Sequence, residues 1–138
     1  MKKEKVYTDF PGFSRYYHKN FFIYPHVLED YWHIMSGSEQ KVMDFILRRT
    51  IGWRKTADSI SLGQFQSGVR GRYKNTGTGL SVSQIRRAIK GLEEKGFIRV
   101  IRVKRRPSTF ELVMEKTEWD RINEKAFDAF KEIKKWKA

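Results

Sequence analysis

The chain has 138 residues, of which 29 are Lys or Arg and 16 are Asp or Glu, so its net charge is +13. It contains no cysteine, which excludes disulfides and thiolate metal sites. No apolar run approaches the roughly 18 residues that a membrane-spanning helix needs. This length and a hydrophobic content of 39% predict a single folded domain with a proper core.

The N-terminal part divides into an arm and a first helix. Residues 1–20 are polar and aromatic, and we expect them to form an arm that precedes the domain. Pro25 suits the start of a helix, because its missing N–H needs no partner there. The apolar residues between Val27 and Met35 then predict a helix of about ten residues.

Two further helices are predicted from the residues at their N-termini. Ser36 with Glu39, and Ser61 with Gln64, each have the spacing of a capping box. The first pair opens a helix that we expect to run to about residue 50, and the second opens a short helix that must end before Gly68.

The segment between these two helices is predicted to combine a polar connection with a short extended piece. Trp53, just after the first of them, is predicted to fill the core, with its indole N–H at the edge. Residues 55–58 are predicted to form a polar connection, and residues 59–62 a short extended piece.

Residues 69–78 form the least regular part of the chain. A helix-turn-helix usually has a turn of three or four residues, and this connection is about ten residues longer. Arg70, Arg72 and Lys74 carry its positive charge. We keep two interpretations open: a loop that orders on DNA, and a solvated surface loop. It is not a phosphate-binding P-loop, because no Gly-Lys-Ser/Thr sequence follows.

The next helix combines an apolar face with a basic one. Ser81 and Gln84 form a third capping box, and Gly96 has the place of a C′ glycine that ends the helix. Apolar residues recur at helical spacing on one face: Ile85, Ala88, Ile89 and Leu92. The other face carries the candidates for contacts with base edges: Ser83, Gln84, Arg86, Arg87 and Lys90.

A β-hairpin is predicted immediately after this helix. Residues 97–103 and 110–113 are rich in strand-forming residues, and residues 104–108 form the turn between them. The turn carries three cations. The candidates for contacts with the DNA backbone or the minor groove are Arg70, Arg72, Lys74, Ser81, Lys104, Arg105 and Arg106.

The positive charge is concentrated in this part of the chain. Residues 70–106 contain twelve Lys or Arg and only two acidic residues, Glu93 and Glu94, which accounts for ten of the thirteen net charges. Such a concentration raises the local potential and attracts a polyanion. We expect the two glutamates to support Lys90 and Arg99 or to face solvent.

The last part, residues 115–138, predicts an amphipathic helix. Its apolar residues recur every three or four positions, and five of them are candidates for a dimer contact: Trp119, Ile122, Phe127, Phe130 and Ile133. One interpretation is that this helix packs on its own domain, and the other is that it forms a homodimer.

Residues 22–102 resemble the N-terminal DNA-binding domain of bacteriophage replication protein O. The most specific pieces are RRTIGW at residues 48–53, ISL at 60–62 and GTGLS at 77–81. The resemblance implies a winged helix-turn-helix that recognises repeated origin sites through residues 82–95. Related domains occur in phage and plasmid replication initiators and in phage regulators, so replication or transcription machinery is an expected partner.

Other chemistries find little support in the sequence. His26 and His33 lie two helical turns apart, with Asp30 near, but no clear third metal ligand accompanies them. Glu93 and Glu94 point about 100 degrees apart on a helix and cannot form a catalytic carboxylate pair. We therefore predict no enzymatic activity, no cofactor and no metal. An RNA-binding module, with aromatic residues of the arm stacking on bases, is the third interpretation.

The sequence thus predicts an α+β protein, mostly α with a small β-hairpin. We expect an arm (residues 1–20), a winged helix-turn-helix domain (21–114) and a C-terminal helix (115–138). The predicted function is sequence-specific binding of double-stranded DNA in replication initiation, with transcription regulation as the alternative. We expect the protein in the cytoplasm of a bacterial cell or phage-infected host, associated with the nucleoid and not with a membrane.

Overall fold

The computed structural model describes residues 10–13, 15, 22–70 and 76–115 of the chain. Within these residues, three α-helices and a three-stranded antiparallel sheet form an α+β fold, as predicted. The helices are α1 (Gly37–Arg49), α2 (Leu62–Ser67) and α3 (Val82–Glu94). The strands are β1 (Ala57–Ser59), β2 (Ile98–Ile101) and β3 (Thr109–Leu112). Most of the predicted arm lies outside the described residues, which include only its residues 10–13 and 15. The predicted C-terminal helix also lies outside them, except for residue 115.

Capping boxes begin all three α-helices, as the sequence predicts. In α1, the Ser36 hydroxyl accepts from the Glu39 N–H at 3.1 Å, and the Glu39 carboxylate accepts from the Ser36 N–H at 2.8 Å. The same reciprocal bonds join Ser61 to Gln64 and Ser81 to Gln84. These local bonds satisfy backbone donors that the first turn of a helix leaves without partners, and so they fix where each helix begins.

Gly96 ends α3 in the predicted manner. Its φ of +84° lies in the left-handed region, where glycine has no Cβ to clash. The N–H groups of Gly96 and Phe97 donate to the carbonyls of Glu93 and Leu92, each at 3.1 Å. This is a Schellman motif, and it turns the chain directly from α3 into β2.

The first predicted helix forms as a 3-10 helix, His26–Ile34. Only Leu28 of this segment is buried, while Val27, Tyr31, Trp32 and Ile34 stay exposed. A 3-10 helix has three residues per turn, so an apolar pattern spaced for an α-helix spreads around its surface.

Trp53 does not fill the core, so that prediction is wrong. It lies on the short 3-10 helix Ile51–Trp53 and is 43% exposed. The end of α1 buries Leu47 and Thr50 instead, and the indole ring lies 5.7 Å from the guanidinium carbon of Arg48.

The sheet has one strand more than the predicted hairpin. Strand β1 occupies residues that were predicted as a polar connection and the start of the extended piece, and it pairs with β3, so the strand order is β1-β3-β2. The Arg49 side chain fixes this strand beside α1, because its Nε donates to the Asp58 carboxylate at 3.0 Å. The hydroxyls of Ser59 and Thr109 also bond across the β1–β3 pair at 2.9 Å.

The core lies between the helices and the sheet. Phe65 of α2 is at its centre, with ring centroids 5.2 Å from Phe45 and 5.1 Å from Phe110. The four apolar residues of α3 are all buried: Ile85, Ala88, Ile89 and Leu92. Burying the apolar face of α3 leaves its basic face turned outward.

Candidate nucleic-acid interface

All five residues predicted for base contacts lie exposed on the outer part of α3: Ser83, Gln84, Arg86, Arg87 and Lys90. They do not form one uniform surface. Arg86 and Lys90 lie on the side that faces the β2–β3 hairpin, whereas Gln84 and Arg87 lie beside the first turn of α1. The outer face therefore has two flanks with different neighbours.

Ser81 and Gln84 both serve the start of α3. The Gln84 amide oxygen accepts from the Ser81 N–H at 3.0 Å, and the Ser81 hydroxyl accepts from the Gln84 N–H at 3.2 Å. A two-point contact with adenine needs the amide oxygen and nitrogen together. While the capping box is formed, the Gln84 amide oxygen has one of its two acceptor sites occupied, and the amide nitrogen remains to donate outward.

The turn between β2 and β3 presents its three cations to solvent. Lys104, Arg105 and Arg106 are all exposed. Arg105 has a φ of +64°, a left-handed conformation that costs a side-chain-bearing residue about 1–2 kcal/mol. A cation thus stands at a position where glycine would fit with less strain.

A wide groove joins α3 to this turn. Its volume is about 860 Å³, and its apolar base includes Ile60, Leu62, Val100 and Phe110. Five cations line it, two from α3 and three from the hairpin: Arg86, Lys90, Arg102, Arg105 and Arg106. Residues that are distant in sequence therefore contribute to one basic surface, which we call the basic groove.

Among the described residues, Glu93 is the single acid that lines the basic groove. Arg102 donates to both of its oxygens, at 3.0 and 3.1 Å. These bonds lower the pKa of the Glu93 carboxyl and raise the pKa of the Arg102 guanidinium. The charge of Arg102 therefore offsets that of Glu93, and this ion pair links α3 to the hairpin.

Glu93 pairs with Arg102 and not with Lys90 or Arg99, the partners that the sequence predicted for it. Arg99 instead lies 3.7 Å from Glu111 on β3. The sequence did contain a signal for the observed partner, because alternate residues of a strand share a face. Val100 and Arg102 both line the basic groove, so Arg102 is the arginine on the side of β2 that faces α3.

Most of the basic groove's positive charge is available to a ligand. Among the described residues, no ion pair involves Arg86, Arg87, Lys90, Lys104, Arg105 or Arg106. An array of exposed cations on a concave surface focuses a positive potential, which raises the local concentration of anionic partners.

The connection between α2 and α3 is closed at its base. The Thr78 N–H and hydroxyl donate to the Phe65 carbonyl at 2.8 and 2.7 Å, and the Gly79 N–H donates to the Gln66 carbonyl at 3.1 Å. Gly77 has no room for a side chain there, since a Cβ would collide with the backbone of Gln66 and Gly68. These bonds hold α3 beside α2 despite the long connection.

Of the remaining predicted site residues, Arg70 is described by the structure and the others are not. Arg70 is exposed at the start of the connection. Several others lie outside the described residues, and their roles stay predictions: Arg72, Lys74, Trp119, Ile122, Phe127, Phe130 and Ile133.

The part of the chain that the structure describes was also expected to lack a metal site and a membrane-spanning helix. It holds no group of three side chains placed to bind a metal ion, and His26 instead bonds Glu29 at 2.6 Å. None of its helices is long and apolar enough to cross a membrane.

Comparison of the chain with protein families, curated proteins and solved structures finds no match. The resemblance to the replication protein O domain stays a prediction from the sequence.

Proposed function

We propose that this chain is a sequence-specific double-stranded DNA-binding protein of the winged helix-turn-helix class. Helix α3 would enter the major groove, and the β2–β3 turn would contact the sugar-phosphate backbone beside it. The protein would act without catalysis. The process that the sequence resemblance favours is replication initiation of the phage or plasmid type, and transcription regulation is the alternative.

The basic groove is the observation that carries this proposal. Exposed cations of α3 and of the hairpin tip line one concave surface, and Glu93, the only acid among its described lining residues, is paired with Arg102. A polyanion whose helical backbone follows a groove edge complements such a surface better than an isolated anion does.

The α2–α3 geometry supports the same proposal. A helix-turn-helix requires its second helix to be held firmly against the first. Here the bonds of Thr78 and Gly79 to the end of α2 supply that constraint. Arg70, where the described part of this connection begins, is exposed and belongs to the basic part of the chain.

We assign different tasks to the two parts of the interface. Arg87 and Lys90 are the leading candidates for guanine contacts on base edges, with Ser83 beside them. Gln84 comes after them, because its amide oxygen already accepts one bond within the capping box. Lys104, Arg105 and Arg106 would contact phosphates or the minor groove, because a hairpin tip reaches the backbone first.

A salt titration tests the proposal. With about six phosphates neutralised, the slope of log K against log salt for duplex DNA should be about −5. Single-stranded RNA of the same length is the matched competitor. A slope near zero on duplex DNA would reject nucleic-acid binding, and tighter, equally steep binding of the RNA would favour an RNA-binding module instead.

Footprinting on the DNA that neighbours the coding sequence separates the two processes. Repeated protected sites beside an AT-rich stretch are the result expected for replication initiation. A single protected site over a promoter would instead assign the protein to transcription regulation.

A further inference from the structure

A second groove, apolar rather than basic, lies between the first 3-10 helix, α1 and the end of β3. Its volume is about 410 Å³. Leu28, Met43, Leu47 and Leu112 are buried at its base. The two grooves have no described lining residue in common, so this is a separate surface of the domain. We call it the apolar groove.

The rim of the apolar groove exposes large side chains. Val27 is 59% exposed, Tyr31 43% and Met114 58%, and Val113 lies beside them. Single exposed apolar residues are ordinary on a protein surface, but a contiguous group around a groove marks a site of association. The Tyr31 ring also packs edge-on against Phe97, with ring centroids 5.5 Å apart, so part of this rim is already ordered.

We propose that residues 116–138 of the same chain cover the apolar groove. The first reason is the place where the described part of the chain ends. Val113, Met114 and Glu115 line the groove and are the last three residues that the structure describes. The described part of the chain therefore ends at the rim, so the segment that follows needs no path across the rest of the domain to reach the groove.

The sequence of this segment provides the complementary surface. Trp119, Ile122, Ala126, Phe130 and Ile133 recur every three or four positions, which predicts one apolar stripe along a helix. A helix over residues 116–138 would be roughly 35 Å long, which is about the diameter of a small domain. Its apolar stripe would therefore be long enough to cover a surface groove.

Charge favours the same arrangement. The 3-10 helix on the groove's edge has two exposed acids, Glu29 and Asp30, and no Lys or Arg. The last eight residues of the chain include four lysines and one acid. Opposite charges at the edge of an apolar contact help to fix its orientation.

Because the protein has no native cysteine, engineered pairs can test this contact in the full chain. Val27→Cys is combined in turn with Cys at Ala126 or Phe130 on the stripe, or at Glu124 or Asp128 on the opposite side of the predicted helix. Disulfide formation is followed in dilute protein by mass and by non-reducing electrophoresis. Ala126→Cys changes little volume, so that pair reports even if Phe130→Cys disturbs folding.

We expect both stripe pairs to form intrachain disulfides at least about tenfold faster than the opposite-side pairs, because a docked segment raises the effective concentration of the two thiols. Equal rates for stripe and opposite-side pairs would overturn the proposal. Interchain disulfides at the stripe positions would also overturn it, and would assign the groove to a second copy of the chain. Neither outcome depends on whether the protein binds DNA.

Discussion

The two flanks of α3 use charge in opposite ways. On the flank beside α1, Lys95 is bonded to the buried carboxylate of Glu39, and Gly91 leaves room for that carboxylate. On the flank beside the hairpin, Arg86 and Lys90 are exposed and form no ion pair with any described residue. On the first flank, the Glu39–Lys95 pair holds helices together, whereas Arg86 and Lys90 on the second flank, like the exposed Arg87, keep their charge for a partner.

The Glu39 carboxylate shows what a structural charge requires. It is 6% exposed, and burying a charge is costly unless hydrogen bonds satisfy it. Lys95 donates to both of its oxygens at 2.7 and 2.6 Å, and the Ser36 N–H donates to one of them at 2.8 Å. Apart from Arg102, which bonds Glu93, the cations of the basic groove have no such partners among the described residues, so they contribute little to the stability of the fold.

Removing the cation on the structural flank should have the largest effect on stability. Lys95→Met keeps most of the side chain's length but leaves Glu39 buried without its ion pair. We expect a loss of about 3 kcal/mol in the free energy of unfolding, measured by urea denaturation. Lys90→Met on the same helix is the control, and it should stay within about 0.5 kcal/mol. Equal losses in the two variants would contradict the distinction between the flanks.

Gly91→Ala tests the flank beside α1 by adding a side-chain carbon rather than by removing a charge. A Cβ at this position would collide with the Glu39 carboxylate, which cannot rotate away without losing Lys95. We expect a loss of about 1–3 kcal/mol in stability, although alanine favours helices. In α2, the nearest atom to a Cβ on Gly63 is 3.9 Å away, so Gly63→Ala should gain about 0.5–1 kcal/mol. Stabilisation by Gly91→Ala would show that Glu39 is not held as described.

Arg105→Gly should separate stability from binding at the hairpin tip. Glycine relieves the left-handed strain of Arg105 but adds freedom to the unfolded chain, so we expect a net gain of only about 0.5 kcal/mol. Arg105→Ala keeps the strain and should leave stability unchanged. Both variants should weaken DNA binding equally, as measured by thermal unfolding and binding isotherms. A stability loss in Arg105→Gly would mean that the arginine supports the fold.

The smallest effect concerns pH, and two carboxyls of α1 should act in opposite directions. Burial raises the pKa of Glu39, but bonds from Lys95 and Ser36 outweigh it and leave the pKa below the ordinary 4.5. The stability that Glu39 contributes is therefore present above pH 4.5 and is lost as pH falls through the lower folded-state value. Glu39→Gln should make the acid loss of stability shallower.

Asp44 provides the opposite case. Burial raises its pKa above 3.8, and the bond from the Tyr24 hydroxyl at 2.8 Å offsets this only in part. Asp44 therefore costs stability at neutral pH, and the cost disappears as pH falls through its raised value. Asp44→Asn should make the acid loss steeper. Urea unfolding between pH 3 and pH 7 measures both slopes, and slopes that change in the same direction would contradict these pKa assignments.

The features that the sequence predicted well are local ones. Each capping box joins residues three apart, and the apolar face of α3 repeats within a single helix. The physics that forms these features acts within a few residues, so their pattern is visible in the chain.

The features that the sequence missed depend on distant partners. Strand β1 consists of Ala, Asp and Ser, which have low strand propensity, and it forms because β3, about 50 residues away, offers an edge to pair with. Glu39 and Lys95 are 56 positions apart, and nothing in either local sequence indicates the pairing. The basic groove likewise becomes one surface only when the hairpin folds beside α3.

The central claim is that α3 recognises sequence while the hairpin tip contacts the backbone. Binding isotherms of Arg87→Ala and Arg105→Ala, on the footprinted duplex and on a scrambled one at two salt concentrations, test it most directly. Arg87→Ala should cost about 1–3 kcal/mol on the specific duplex and little on the scrambled one. Arg105→Ala should weaken both similarly and reduce the salt slope by about one. If Arg105→Ala abolishes sequence preference while Arg87→Ala preserves it, the assignment of the two roles is reversed.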